Sequence, residues 1–285
     1  MKRIVASTDF STRSNRALRQ AGLLAQPIGA QLHVLHVVDD DQPDELIALE
    51  KREAERIIDE QLRSMPELQN VRAQALVKTG NPFDGILKTA IEIDADLVVM
   101  GSHRKRQLLD IFVGTTIERV IRKAAFPVLM VNNEAQRQYE RVMAPVDMTD
   151  ISANALRVAV ASGLIGDAGA TLVHAFVALA RGKMFIANAD KSDINRYVAS
   201  ERQRAIDELA AFLVTNNFNT RQWSLRVEEG DPSEVISRSV SAITPDLLVM
   251  GTQGRTGFLK LLIGSVTEEA LRSLSVDILT VPPPR

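Results

Sequence analysis

Gly251-Thr252-Gln253-Gly254 and, after nine intervening residues, Gly264-Ser265 are the residues whose types and spacing suit the chemistry of phosphate. Glycine admits positive φ and lets the backbone come close to a bulky anion. A helix opening at Gly264 would present unpaired N–H groups and the positive end of its dipole. Ser265 adds a hydroxyl donor at that end. Asp147, which closes the apolar run from Val142, could accept from ribose hydroxyls. It could equally cap the helix that follows, as could Thr149, Asp150 or Ser152. Together these groups describe a pocket for a ribonucleotide with phosphates, set against the ordinary role of glycines after strands as turns. Neither GxxxxGK[ST] nor a GxGxxG after the first strand is present, so the better-known phosphate loops are excluded.

The elements that must position these residues come in two copies. Asp96-Leu97-Val98-Val99-Met100-Gly101 matches Asp246-Leu247-Leu248-Val249-Met250-Gly251, and Gly114-Thr115-Thr116-Ile117-Glu118 matches Gly264-Ser265-Val266-Thr267-Glu268, each at an offset of 150. Nearer the start the offset is 138, pairing Asp9 with Asp147 and His36 with His174. The second copy therefore carries about 12 extra residues between His174 and Gly230. The polar stretch Asn132–Gln138 is the seam, giving domains 1–138 and 139–285.

Each copy alternates short apolar runs with helical spacing. The strands are read at Ile4–Ser7, Gln31–Val38, Val71–Val77, Leu97–Met100 and Val128–Val131, and again at Val142–Val146, Thr171–Val177, Gln222–Val227, Leu247–Met250 and Ile278–Val281. Helices are expected at Ser14–Ala25, Leu46–Leu62, Ser152–Leu164 and Val198–Leu213, after Pro82 and Pro232, and after Gly114 and Gly264. The fold class is α/β, with two similar doubly wound five-stranded parallel-sheet domains of Rossmann-like type in tandem. In such sheets ligands bind beyond the carboxyl ends of the strands, where the strand order switches.

Composition removes other classes. The chain has 285 residues, is 45% hydrophobic and 25% charged, and has a net charge of −2, which excludes disorder and weakens a nucleic-acid reading. No apolar window is long enough to span a membrane, and no basic amphipathic helix suggests a membrane surface. The start turns polar within a few residues, unlike a secretory signal, so a cytoplasmic location is expected. Zero cysteines and four histidines exclude disulfides, thiolate zinc and cysteine nucleophiles. His36 and His174 read as structural, Trp223 as core or interface, and His103–Arg106 as a solvated loop or an anion or partner site.

Gly251-x2-Gly254-x9-Gly264-Ser265 resembles the ATP-binding motif of the universal stress protein family. Met250 before it, Val266-Thr267-Glu268 after it and the ending Ile278-Leu279-Thr280-Val281 are similar too, as are Ser7-Thr8-Asp9-Phe10-Ser11 and His36-Val37-Val38-Asp39 in the first copy. The resemblance spans nearly the whole chain, twice. It implies a tandem protein of the adenine nucleotide α-hydrolase-like fold, whose two units stand in for a homodimer paired through its last strands. It implies that Asp147 binds ribose beside Pro145 and Val146, and that Ala175 meets adenine through its backbone. Met250 would pack near the nucleotide, and Gly251, Gly254, Gly264, Ser265 and Val266 would surround ribose and phosphates. The ligand would be ATP, with or without Mg²⁺.

The first copy departs from this motif. Arg104 stands where the second glycine belongs, and Thr115 replaces the serine. Threonine can still donate a hydroxyl, but the arginine should obstruct phosphates. The second copy is therefore expected to bind ATP and the first weakly or not at all. The leading reading is a stress-response sensor or adaptor with unidentified protein partners. Whether two chains associate further is left open. Two rivals stand beside it. One is a scaffold that ignores nucleotide and would be indifferent to Gly254→Val. The other is a slow ATP-hydrolysing or ATP-transferring enzyme. No nucleophile motif, positioned base or arginine finger supports the latter.

Overall fold

The computed structural model describes residues 1–102, 114–166, 169–218, 223–253 and 263–284. The first copy runs β1 (Arg3–Ser7), α1 (Thr12–Ile28), β2 (Gln31–Val38), α2 (Asp44–Ser64), a short 3₁₀ turn (Pro66–Leu68), β3 (Arg72–Thr79), α3 (Pro82–Glu92), β4 (Leu97–Gly101), α4 (Thr116–Lys123) and β5 (Val128–Val131). The second runs β6 (Val142–Pro145), α5 (Asp150–Ala161), β7 (Ala170–Phe176), α6 (Arg181–Ile186), α7 (Lys191–Thr215), β8 (Ser224–Glu229), α8 (Pro232–Ile243), β9 (Leu247–Gly251), α9 (Ser265–Ser273) and β10 (Asp277–Val281).

All ten strands form one sheet in the order β3-β2-β1-β4-β5-β10-β9-β6-β7-β8. Pairing within each copy is parallel. The copies join where β5 and β10 run antiparallel, with Leu279 opposite Leu129 and Thr280 opposite Val128. The buried Thr280 hydroxyl donates to the Val128 carbonyl at 3.0 Å.

Strand alternation sends side chains to two faces. Ile4, Leu32, Val99, Leu172 and Leu279 pack under α1, α2, α5 and α7, while Val5, Leu35, Met100, Met143 and Ile278 pack under α3, α4, α8 and α9. Both faces are covered, which is why the central strands read as unbroken apolar runs. Removing one such leucine to alanine would cost about 2–5 kcal/mol.

Two elements differ from the sequence reading. α7 begins at Lys191, seven residues before Val198, because only Ala205, Leu209 and Leu213 of this helix are buried and its first turns carry no core periodicity. α6 has no buried residue at all, so nothing in its pattern announces a helix. The extra residues of the second copy lie in this α6–α7 region.

The seam is held by one carboxylate. Asp277, 3% exposed, accepts from the backbone N–H of Asn132 (2.8 Å) and Asn133 (2.9 Å) and from the Tyr139 hydroxyl (2.7 Å). Burial raises the Asp277 carboxyl above its ordinary value against the pull of these donors, and burial beside Asp277 raises Tyr139 well above its own.

Candidate functional site

The strand order switches at β1 in the first copy and at β6 in the second, and a pocket opens beyond the strand ends at each switch. The second pocket has a volume of about 400 Å³. Pro145, Val146, Asp147, Ala175, Met250, Gly251, Gly264, Ser265 and Val266 all line it. Gly254 lies outside the described residues, as do His103–Arg106 of the first copy.

Asp147 is positioned by its local chain. Its Oδ1 accepts from the Thr149 backbone N–H (3.2 Å) and hydroxyl (2.6 Å). Between them Met148 is left-handed, with φ +60, a conformation costing a non-glycine residue roughly 1–2 kcal/mol. Thr149, not Asp147, caps α5, accepting from the Ser152 N–H at 3.3 Å. His174 Nδ1–H donates to the Val146 carbonyl at 2.6 Å and pins the residue before Asp147. The first copy repeats the device. Asp9 accepts from the Ser11 N–H (3.0 Å), Phe10 has φ +60, Ser11 caps α1, and His36 donates to the Thr8 carbonyl at 2.9 Å. These histidines are structural, as their strand-end places suggest, and they hold the loop that aims each aspartate. Thr149 is one of the candidate caps the sequence offers, whereas Asp231, which caps α8 at the pocket's edge, was not singled out for the site.

Gly251 is a glycine for a reason other than backbone freedom. A Cβ there would sit 2.5 Å from Ile151 Cγ2, so the residue exists to let α5 cross β9 closely. Gly264 has φ −64 and serves as the N-cap of α9. Its N–H donates to the Thr252 carbonyl at 2.8 Å, and the Thr267 hydroxyl donates to the Gly251 carbonyl at 2.8 Å. Among the described residues no side chain caps α9, so its first turn, lining the pocket through Ser265, Val266 and Thr267, keeps donors for an anion.

The corresponding helix of the first copy is capped by side chains. Gly114 has φ +87, which moves the helix start one residue on and makes Thr115 the cap of α4. The Thr115 hydroxyl accepts from the Glu118 N–H at 3.3 Å. Glu118, 4% exposed, reaches back to accept from the Gly114 N–H at 3.2 Å and holds Arg122 Nε at 2.6 Å. This is a capping box with the carboxylate displaced by one residue.

Fold and paired strand-end pockets together define a tandem, doubly wound α/β protein. The chain belongs to the universal stress protein family, whose model matches residues 1–132 and again 138–282. Universal stress protein E of Escherichia coli (strain K12) is 26% identical over 207 residues, covering 71% of this chain, and the match spans 65% of that protein's length. Universal stress protein E of Salmonella typhi is 25% identical over 283 residues, covering 94% of this chain and 90% of that protein. The solved structure of a universal stress protein from Archaeoglobus fulgidus DSM 4304 shares the fold, with a TM-score of 0.67 at 16% identity over 99% of this chain and 98% of that one.

Proposed function

We propose that the second pocket binds ATP and that the protein is a nucleotide-responsive sensor or adaptor of the cytoplasm. One observation carries the reading: Asp147 and the uncapped first turn of α9 line the same cavity. The carboxylate suits a ribose diol and the helix start suits phosphates. Ala175 and Met250 give the cavity an apolar side where a base would stack. Mg²⁺ would come with the phosphates, since among the described residues no group of three or more acidic or histidine side chains could hold a metal ion. No described helix is long and apolar enough to cross a membrane.

The adaptor half of the reading draws on α6 and the loop before it. Leu179, Phe185 and Ile186 are 82%, 76% and 82% exposed there, in the region that only the second copy has. They offer apolar contact to a protein partner.

The test is the nucleotide that purifies with the full chain. Mass spectrometry of the supernatant after denaturation should find adenine nucleotide at up to one per chain. A preparation that carries none and takes up none when ATP is added refutes the reading.

A further inference from the structure

After its second strand, each copy sends a segment past the strand ends that leaves apolar side chains in water. In the second copy this segment runs from Val177 to Ile186. Val177, Leu179, Phe185 and Ile186 are all more than half exposed, and α6 buries nothing. In the first copy it is the start of α2, a helix in which only Ala54 and Ile58 are buried, both beyond its second turn. Ahead of them Leu46, Leu49, Glu50 and Glu53, spaced i, i+3, i+4 and i+7, make one exposed stripe.

The two patches carry opposite charge. Asp39, Asp40, Asp41, Asp44, Glu45 and Glu50 are all exposed, and no lysine or arginine falls between Asp39 and Glu50. Among the described residues none of these carboxylates forms an ion pair. From Val177 to Ala189 the only charged residues are Arg181 and Lys183, and Lys191 follows directly after Asp190. Arg181 holds Glu229 at 2.6 Å, whereas Lys183 and Lys191 have no ion pair among the described residues. An acidic rim around one apolar patch and free lysines around the other are complementary, and such charges steer encounter and fix register.

The patches cannot meet within one chain. α2 packs on β2 and β3, and α6 follows β7 and packs on α7. In the sheet β2 and β7 are seven strand spacings apart, about 34 Å. The antiparallel join of β5 to β10 also points the strand ends of the two copies in opposite directions. Contact between the patches is therefore contact between two chains. One such contact covers a few hundred Å² on each partner, short of the roughly 800 Å² that a stable specific interface uses. A two-fold pair makes the contact twice and leaves neither patch free to propagate.

We propose that the start of α2 of a second copy of this chain occupies the α6 patch. Its leucine stripe lies on Leu179, Phe185 and Ile186, its carboxylates face Lys183 and Lys191, and the reciprocal contact closes a two-fold dimer. The proposal deepens the adaptor reading by naming the partner of α6, rests on α6 being a contact surface, and is independent of nucleotide.

The experiment is sedimentation velocity of the full chain across a micromolar concentration series. The wild-type chain should pass from monomer to dimer. Phe185→Glu with Ile186→Glu, at positions that bury nothing, should leave the thermal melt unchanged and weaken dimerisation by on the order of a hundredfold, since each substitution counts twice in a two-fold pair. Lys183→Glu with Lys191→Glu should weaken it by about tenfold, and adding Glu45→Lys with Glu50→Lys to the same chain should restore most of the loss. A chain that stays monomeric overturns the proposal, as does a dimer indifferent to the Phe185 and Ile186 changes. Loss on lysine reversal that the glutamate reversals do not restore overturns α2 as the occupant. Growth beyond the dimer overturns the two-fold closure. Fluorescence of the apolar dye ANS on the dilute monomer reads the α6 surface separately. A monomer whose ANS signal falls with Phe185→Glu and Ile186→Glu overturns the second copy as partner and leaves the contact surface standing, whereas an ANS signal unmoved by those changes counts against the surface itself.

Discussion

Replacing Asp277 with alanine should destabilise the whole chain, because this carboxylate fastens the seam of the first copy to the last strand of the second. Its Oδ1 accepts from Asn132 N–H, Asn133 N–H and Asn133 Nδ2, and its Oδ2 accepts from the Tyr139 hydroxyl. Alanine strands two main-chain donors and a phenol, each costing about 1–3 kcal/mol if left buried without a partner. The loss is partly offset, since burial already penalises the charged carboxylate and lifts it above its usual range. The net expectation is about 2–4 kcal/mol, or a fall in Tm of roughly 3–7 °C for a chain of this size. Asp277→Asn keeps an acceptor for the two amides and removes the charge, so it should cost about 1 kcal/mol or less. Guanidinium unfolding followed by circular dichroism separates the two variants. Equal stability of the alanine and asparagine variants, or a loss below about 1 kcal/mol for alanine, would refute the claim that hydrogen bonding to Asp277 holds the seam.

Four further outcomes follow from the structure. Tyr139 is half-buried against Asp277 with its folded pKa raised above the unfolded value of 10.0, so its share of stability is present below pH 10 and is lost as pH rises through the folded value; urea midpoints measured across alkaline pH should fall, and Tyr139→Phe should remove that part of the slope. Gly251→Ala should cost about 1–3 kcal/mol by forcing a Cβ onto Ile151, and Ile151→Ala should recover most of it in the double variant. Gly101→Ala meets the Arg13 backbone at 2.6 Å, so no side-chain truncation should rescue it in the same thermal-melt comparison. Thr115→Ala should lose about 1 kcal/mol of stability as a vacated cap, whereas Ser265→Ala, which removes no cap, should leave the melting temperature unchanged and weaken ATP binding.

Much of the architecture was legible because duplication doubles the signal. The offsets of 138 and 150 align every strand pair, and β4 and β9 announce themselves as apolar runs ended by glycine. The site was legible as a set of positions, and its reasons were less so. Gly251 looks like a phosphate-loop glycine but owes its identity to Ile151, a contact across 100 residues. Thr115-x-x-Glu118 and Ser265-x-x-Glu268 carry the same capping signature, yet only the first forms a cap. The difference lies in the φ of the preceding glycine, +87 at Gly114 and −64 at Gly264, which no string of letters displays. Asn132–Gln138 reads as a polar seam because the partner that binds it, Asp277, arrives more than 130 residues later. α6 was invisible because it buries nothing.

The central claim is that one pocket of the two takes ATP, through Asp147 and the open start of α9. Titration of ATP into the wild-type, Asp9→Asn and Asp147→Asn chains tests it most directly. The account predicts one ATP per chain, unchanged by Asp9→Asn and weakened roughly 10–100-fold by Asp147→Asn, as for loss of a charged acceptor to the ribose. No binding by the wild-type chain, or binding lost with Asp9 and kept without Asp147, would contradict it.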